Sequence, residues 1–155
     1  MIKLADKTID TKDYKVLIKF LKNRSYLNQS KETKKFEENF SKKLKTKHSI
    51  FVNSGSSANL LMAQTLIEGK FIKNKIVVLP SVSWSTSVSP FIQLGYKVII
   101  CDCDKKNLGI DIDHLEKICK KFNPGLLLVV NVLGHSNNFN QILKLKNKYK
   151  FEIIE

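Results

Sequence analysis

The sequence predicts an α/β fold, a mostly parallel sheet with helices flanking both of its faces. Three observations lead there. Short apolar runs rich in β-branched residues recur from Ile76 onward, segments of helical periodicity separate them, and the stretch VNSGSSANLL (Val52 to Leu61) passes from an apolar run through five small residues into a helix-like segment. Strands that alternate with helices bury both faces of a sheet and join through right-handed crossovers. In open sheets of this kind ligands collect at the carboxyl ends of the strands.

Taken in order, Tyr14, Leu17, Ile18 and Leu21 recur at helical spacing, as do Phe36, Phe40 and Leu44, so the chain opens with two amphipathic helices joined by the polar loop RSYLNQSKE. IFVN (Ile50 to Asn53) reads as a short strand, and Asn59 to Ile67 as the helix that follows it. The runs IVVL (Ile76 to Leu79), KVIICD (Lys97 to Asp102), LLLVV (Leu126 to Val130) and FEIIE (Phe151 to Glu155) read as buried strands. Between the last three lie helices with Leu115, Ile118, Cys119 and Phe122 on one face, and Phe139, Ile142 and Leu143 on another.

Composition narrows the class. With 155 residues, 43% of them hydrophobic, the chain is long enough for an ordinary domain core and is not of disordered composition. No apolar run approaches the ~20 residues that cross a bilayer, and MIKLADKTID lacks the apolar block of a signal peptide, so a cytoplasmic location is expected. Cys101, Cys103 and Cys119 form no C-x-x-C pair and read as small hydrophobes; no metal is assigned. The formal charge of +13 suggests an anionic partner. Against a specific nucleic-acid reader stand the dispersed lysines and the single arginine, Arg24, among 27 basic residues, because arginine is the side chain suited to bidentate base and phosphate contacts. A basic binding module is kept as an alternative of a different class.

The turn at Ser54-Gly55-Ser56-Ser57 is the first candidate site. Gly55 permits backbone conformations closed to other residues, a serine can cap the following helix, and the remaining amides at a helix N-terminus attract an anion such as phosphate. Trp84, the only tryptophan, sits among serines in PSVSWSTSVSP after a strand and offers either core filling or a flat face for a planar ring. A phosphate cradle and an aromatic plate at strand ends suggest a phosphorylated aromatic cofactor, pyridoxal phosphate or a mononucleotide. His135 and Asn131 lie on a ligand-side loop, Asp102 and Asp104 end a strand, and His48 and His114 have no partners that single them out.

Together VNSGSSANLL, LPSVSWSTSVSPFIQLGYKVIICDCD, LGIDIDHLEKI and LLLVVNVLGHSNNFNQILKLKNKYKFEIIE resemble the DegT/DnrJ/EryC1/StrS family of pyridoxal-phosphate-dependent sugar aminotransferases. The opening LADKTID and RSYLNQSKETKKFEENFSKKLKTKHSIFVNSG are similar to that family's N-terminal helices. The resemblance implies the large domain of a fold-type I transferase, with Gly55, Ser56 and Ser57 at the cofactor phosphate and Trp84 stacked on its ring. Serine stands where threonine is commoner, and the hydroxyl is kept.

It also implies parts that do not occur among these residues. The family places an aspartate for the pyridine nitrogen one position beyond the match to Glu155, and a lysine that bonds the cofactor further on. The expected catalytic group therefore lies beyond Glu155, as a lysine or, in the related deoxysugar 3-dehydrases, a histidine. On this reading residues 1–48 are an N-terminal helical segment, residues 49–155 an incomplete cofactor-binding large domain, and the C-terminal small domain is absent. The implied reaction of the whole protein is amino transfer from an amino acid to a nucleotide-linked keto-sugar in a homodimer, with the isolated fragment inactive. The 3-dehydrase is the alternative on the same scaffold, since SGSSANLL and STSVSPFIQLG resemble it too.

Overall fold

The computed structural model describes residues 8–23 and 26–155. Two compact units divide the chain, one ending at Phe51 and the other running from Val52 to Glu155. Residues 4–7 of LADKTID, and Arg24 and Ser25 of the first loop, lie outside the described residues.

The first unit contains the two expected helices, α1 (Thr11–Lys22) and α2 (Lys31–Leu44). A reciprocal cap starts α1: the Asp10 carboxylate accepts from the Lys12 and Asp13 amides while Asp13 accepts from the Asp10 amide. Its apolar stripe forms as expected, yet Tyr14, Leu17, Ile18 and Leu21 all remain exposed. On α2, Phe36 stacks on Phe40 with ring centroids 5.6 Å apart and meets Phe51 edge-on at 5.4 Å.

Ile50 to Asn53 is not a strand. Side chains take up the Phe51 backbone in place of a neighbouring strand: its amide donates to Glu37 Oε1 at 2.8 Å and its carbonyl accepts from Gln29 Nε2 at 3.4 Å. An apolar, β-branched run makes a strand only where a ladder receives it.

In the second unit the helix expected from Asn59 begins four residues earlier, as α3 (Gly55–Glu68). Then come β1 (Ile76–Pro80), a 3-10 turn (Ser85–Ser87), α4 (Ser89–Gln93), β2 (Lys97–Cys101), α5 (Ile112–Phe122), β3 (Leu126–Leu128), a second 3-10 turn (Val132–Gly134), α6 (Phe139–Tyr149) and β4 (Glu152–Ile154). Among the described residues the four strands pair in parallel in the order β2-β1-β3-β4, as the α/β reading requires, and one isolated antiparallel bridge joins Cys103 to Ile110.

Alternation along the strands sorts the core into two layers. Val77, Leu79, Leu126 and Leu128 face α3 and α4, where Ala63 and Phe91 meet them, whereas Val78, Leu127 and Val129 face α5 and α6 through Leu115, Ile118, Ile142 and Leu145. Both faces are thus buried, which is why the strands read as unbroken apolar runs. On α6 the inward row is Phe139, Ile142 and Leu145; Leu143, expected beside Ile142, points outward at 47% exposure. No described helix is long and apolar enough to cross a membrane.

Candidate functional site

Successive strands leave β1 in opposite directions: the chain goes from β1 to β2 on one side, then crosses back to β3 on the other. That reversal opens a crevice above the carboxyl ends of β1 and β3. The connection from β1 to β2 carries Trp84, and the loop after β3 carries Asn131 and His135.

The start of α3 is built by Ser54, whose Oγ accepts from the Ser57 amide at 3.1 Å and bonds the Ser57 hydroxyl at 3.1 Å. The Ala58 amide bonds the Ser54 carbonyl, so among the described residues the Gly55 and Ser56 amides are left without a partner in the chain, as the first helical positions must be. Gly55 and the Ser56 side chain are exposed and Ser57 is half-buried. One expectation needs correcting: Gly55 is the first helical residue and is absent from the positive-φ positions, so the turn makes no use of left-handed backbone there. What the missing side chain leaves is clearance, since a Cβ at Gly55 would meet nothing within 4 Å.

Trp84 is 75% exposed, which removes core filling as its role. The short turn after it is tied to α3, because Asn59 Nδ2 donates to the Thr86 carbonyl at 3.0 Å. The helix that follows the small-residue turn and the connection that carries Trp84 are thereby joined through one side chain.

On the other side of the crevice, a buried side chain that the sequence did not single out organises the ends of β3 and β4. Asn137, 5% exposed, donates through Nδ2 to the Val130 carbonyl and to Asn131 Oδ1, both at 2.9 Å, and accepts at Oδ1 from the Ile110 amide at 2.7 Å. Its own amide donates to Asn131 Oδ1 at 3.1 Å, and Asn131 Nδ2 donates to a Glu155 carboxylate oxygen. A polar residue between a strand-end loop and the first apolar residue of a helix resembles an ordinary cap, so nothing in the sequence distinguished Asn137.

The remaining candidates lie apart from this arrangement. His135 is exposed on the loop after β3; His114 is engaged in fold, its Nδ1 accepting from the Asp102 amide at 3.1 Å. His48 lies in the first unit. Asp102 and Asp104 brace the turn after β2 by accepting from the Cys103 and Lys106 amides. Burial pushes the Cys101 thiol up to about 12, helped by the Asp111 and Asp102 carboxylates, and the Cys119 thiol up to about 11; both behave as core residues, while Cys103 is half-buried.

A sequence model of the DegT/DnrJ/EryC1/StrS aminotransferase family matches residues 7–155. The chain belongs to that family. A GDP-4-keto-6-deoxy-D-mannose 3-dehydratase of Yersinia pseudotuberculosis is 34% identical over 98% of this chain and 39% of its own length. A UDP-4-amino-4,6-dideoxy-N-acetyl-beta-L-altrosamine transaminase of Campylobacter jejuni is 29% identical over 100% of this chain and 40% of its own.

Among solved structures, the E. coli GDP-4-keto-6-deoxy-D-mannose-3-dehydratase with bound hydrated PLP shares 31% identity at a TM-score of 0.82, covering 97% of this chain and 39% of that one. Helicobacter pylori PseC, at 24% identity and a TM-score of 0.84, shares the fold. The fold is accordingly that of the fold-type I pyridoxal-phosphate-dependent transferases, as the sequence resemblance implied. The chain spans about 40% of the length of these relatives.

Proposed function

We propose that the protein containing this chain is a pyridoxal-phosphate-dependent enzyme that moves an amino group from an amino acid to a nucleotide-linked keto-sugar, working as a cytoplasmic homodimer. Residues 1–48 are its N-terminal helical segment and residues 49–155 part of its cofactor-binding large domain. The observation that carries this reading is the tie between the start of α3 and the Trp84 connection at the carboxyl ends of a parallel sheet. Family membership supports it.

The donor set suits the cofactor. The free Gly55 and Ser56 amides, the Ser56 and Ser57 hydroxyls and the positive end of α3 together match a phosphate dianion, and the clearance at Gly55 lets it approach. Trp84 presents an exposed plane to the pyridine ring. When bound, pyridoxal phosphate supplies an electron sink for the carbon that loses its proton. The share of this chain in the work is binding and orientation: α3 fixes the phosphate end, and Trp84 restrains the ring and excludes water from its face. The group that moves the proton belongs to the part of the protein beyond these residues.

A second reading, 3-dehydration of the same class of sugar, is favoured by the 34% identity to two GDP-4-keto-6-deoxy-D-mannose 3-dehydratases, against 29% for the transaminase. Cofactor titration of the longer protein, followed by incubation with an amino donor and a nucleotide-linked keto-sugar, tests both. Saturable binding and an amino sugar as product support the first reading, and a sugar that has lost its 3-hydroxyl supports the second. Failure to bind pyridoxal phosphate overturns both.

A further inference from the structure

The Asn137–Asn131–Glu155 chain of hydrogen bonds, with the Ile110 amide at its head, ties together three segments of the second unit, and its direction is fixed at every step. Asn137 Oδ1 must be an acceptor, because the Ile110 amide points at it from 2.7 Å. Its Nδ2 must then donate, and the Val130 carbonyl and Asn131 Oδ1 take both hydrogens at 2.9 Å. Asn131 Oδ1 receives a second donor, the Asn137 amide at 3.1 Å, so an inverted Asn131 amide would set its NH2 against two other donors. That leaves Asn131 Nδ2 facing outward, and it meets the Glu155 carboxylate. The structure also keeps room for the hub: a Cβ on Gly109 would stand 2.7 Å from Asn137 Oδ1. At the buried end of the network Asn137 has its amide oxygen and both amide hydrogens partnered, which gives that end rigidity and a single arrangement.

The far end of the relay is an exposed acid one strand from the crevice, beside the carboxyl end of β3. Nothing in the packing of β4 requires it, since Phe151 and the partly buried Ile153 and Ile154 supply the apolar contacts there. We propose that Asn137 and Asn131 are positioning residues that hold the Glu155 carboxylate, and with it the carboxyl end of β4, in the place the cofactor-binding crevice needs. This rests on the reading of the site as a pyridoxal phosphate site.

The test is an exchange of roles across the pair in the longer protein, read by pyridoxal phosphate titration through the change in its visible absorption, with thermal unfolding measured alongside. Asn131→Asp keeps the acceptor that Asn137 needs but sets a carboxylate against Glu155, and is expected to weaken cofactor affinity about tenfold. Adding Glu155→Gln restores an amide–carboxylate bond with donor and acceptor exchanged, and is expected to return affinity to within about threefold of the parent. A purely structural role would not predict that rescue. Unchanged affinity in Asn131→Asp, or a double variant no better than the single, overturns the inference. If Asn131→Asp does not fold, the double variant must fold and bind; if it does neither, the inference falls. A parent protein that folds but binds no pyridoxal phosphate overturns the functional reading instead, and this inference with it.

Discussion

Trp84, exposed at the proposed site, allows stability and binding to be tested apart in a single side chain. At 75% exposure it contributes little to the core, so Trp84→Ala is expected to leave stability within about 0.5 kcal/mol of the parent. On the proposed reading the same change removes the plate for the cofactor ring and is expected to weaken pyridoxal phosphate binding on the order of tenfold, read by melting and cofactor titration side by side. An equal loss in both measurements would return Trp84 to the core. The cysteines give a second prediction at this scale. The folded chain holds Cys101 protonated up to about 12 and Cys119 up to about 11, against an ordinary value of 9.0 that governs the unfolded chain. Stability from these thiols is therefore intact below pH 9 and declines as pH rises toward 12, because in that window these two thiols ionise more readily in the unfolded chain than in the folded one. Denaturant titrations across that range check the sign. At neutral pH a thiol reagent is expected to label the half-buried Cys103 first, and Cys101 and Cys119 only on unfolding.

Among the elements, α3 shows how a cap and a site coincide. The Ser54 hydroxyl accepts from the Ser57 amide, so Ser54→Ala is expected to cost about 1 kcal/mol in chemical denaturation, with Ser54→Asp recovering most of it. The elements legible in the sequence were those whose apolar pattern is matched by a partner. The runs from Ile76, Lys97, Leu126 and Phe151 each became a strand because a parallel neighbour received them. Ile50 to Asn53 has the same composition and became no strand, since Glu37 and Gln29 occupy the Phe51 backbone; local residue type cannot announce a side chain arriving from another helix. The candidate site was drawn from the sequence on similar grounds. Ser54 to Ser57 and Trp84 stood out because small residues and a lone tryptophan are unusual in their settings. Asn137 did not, because its role depends on Ile110, Val130 and Asn131 converging on it in space.

At the scale of the molecule, the division of labour between cofactor binding and chemistry gives a further prediction. On the proposed reading residues 1–155 supply the phosphate turn and the ring plate while the catalytic lysine or histidine lies elsewhere in the protein, so this stretch by itself is expected to give no turnover of an amino donor. A coupled assay of released keto acid checks this, and measurable transamination by the 155 residues alone would overturn the placement of the catalytic group. The connection between β1 and β2 has one more consequence. Trp84 and Phe91 lie on the same short segment, and Phe91, fully buried, packs edge-on against Tyr96 with centroids 5.2 Å apart, while the Tyr96 hydroxyl donates to the Ala63 carbonyl at 2.9 Å. The connection that carries Trp84 is therefore also the lid of one core layer. Extra residues spliced in between Trp84 and Phe91 would have to lift that lid, whereas the exposed turn at Lys105 and Lys106 carries no such anchor. Along this connection an exchange of exposed side chains is therefore expected to disturb the core less than added length.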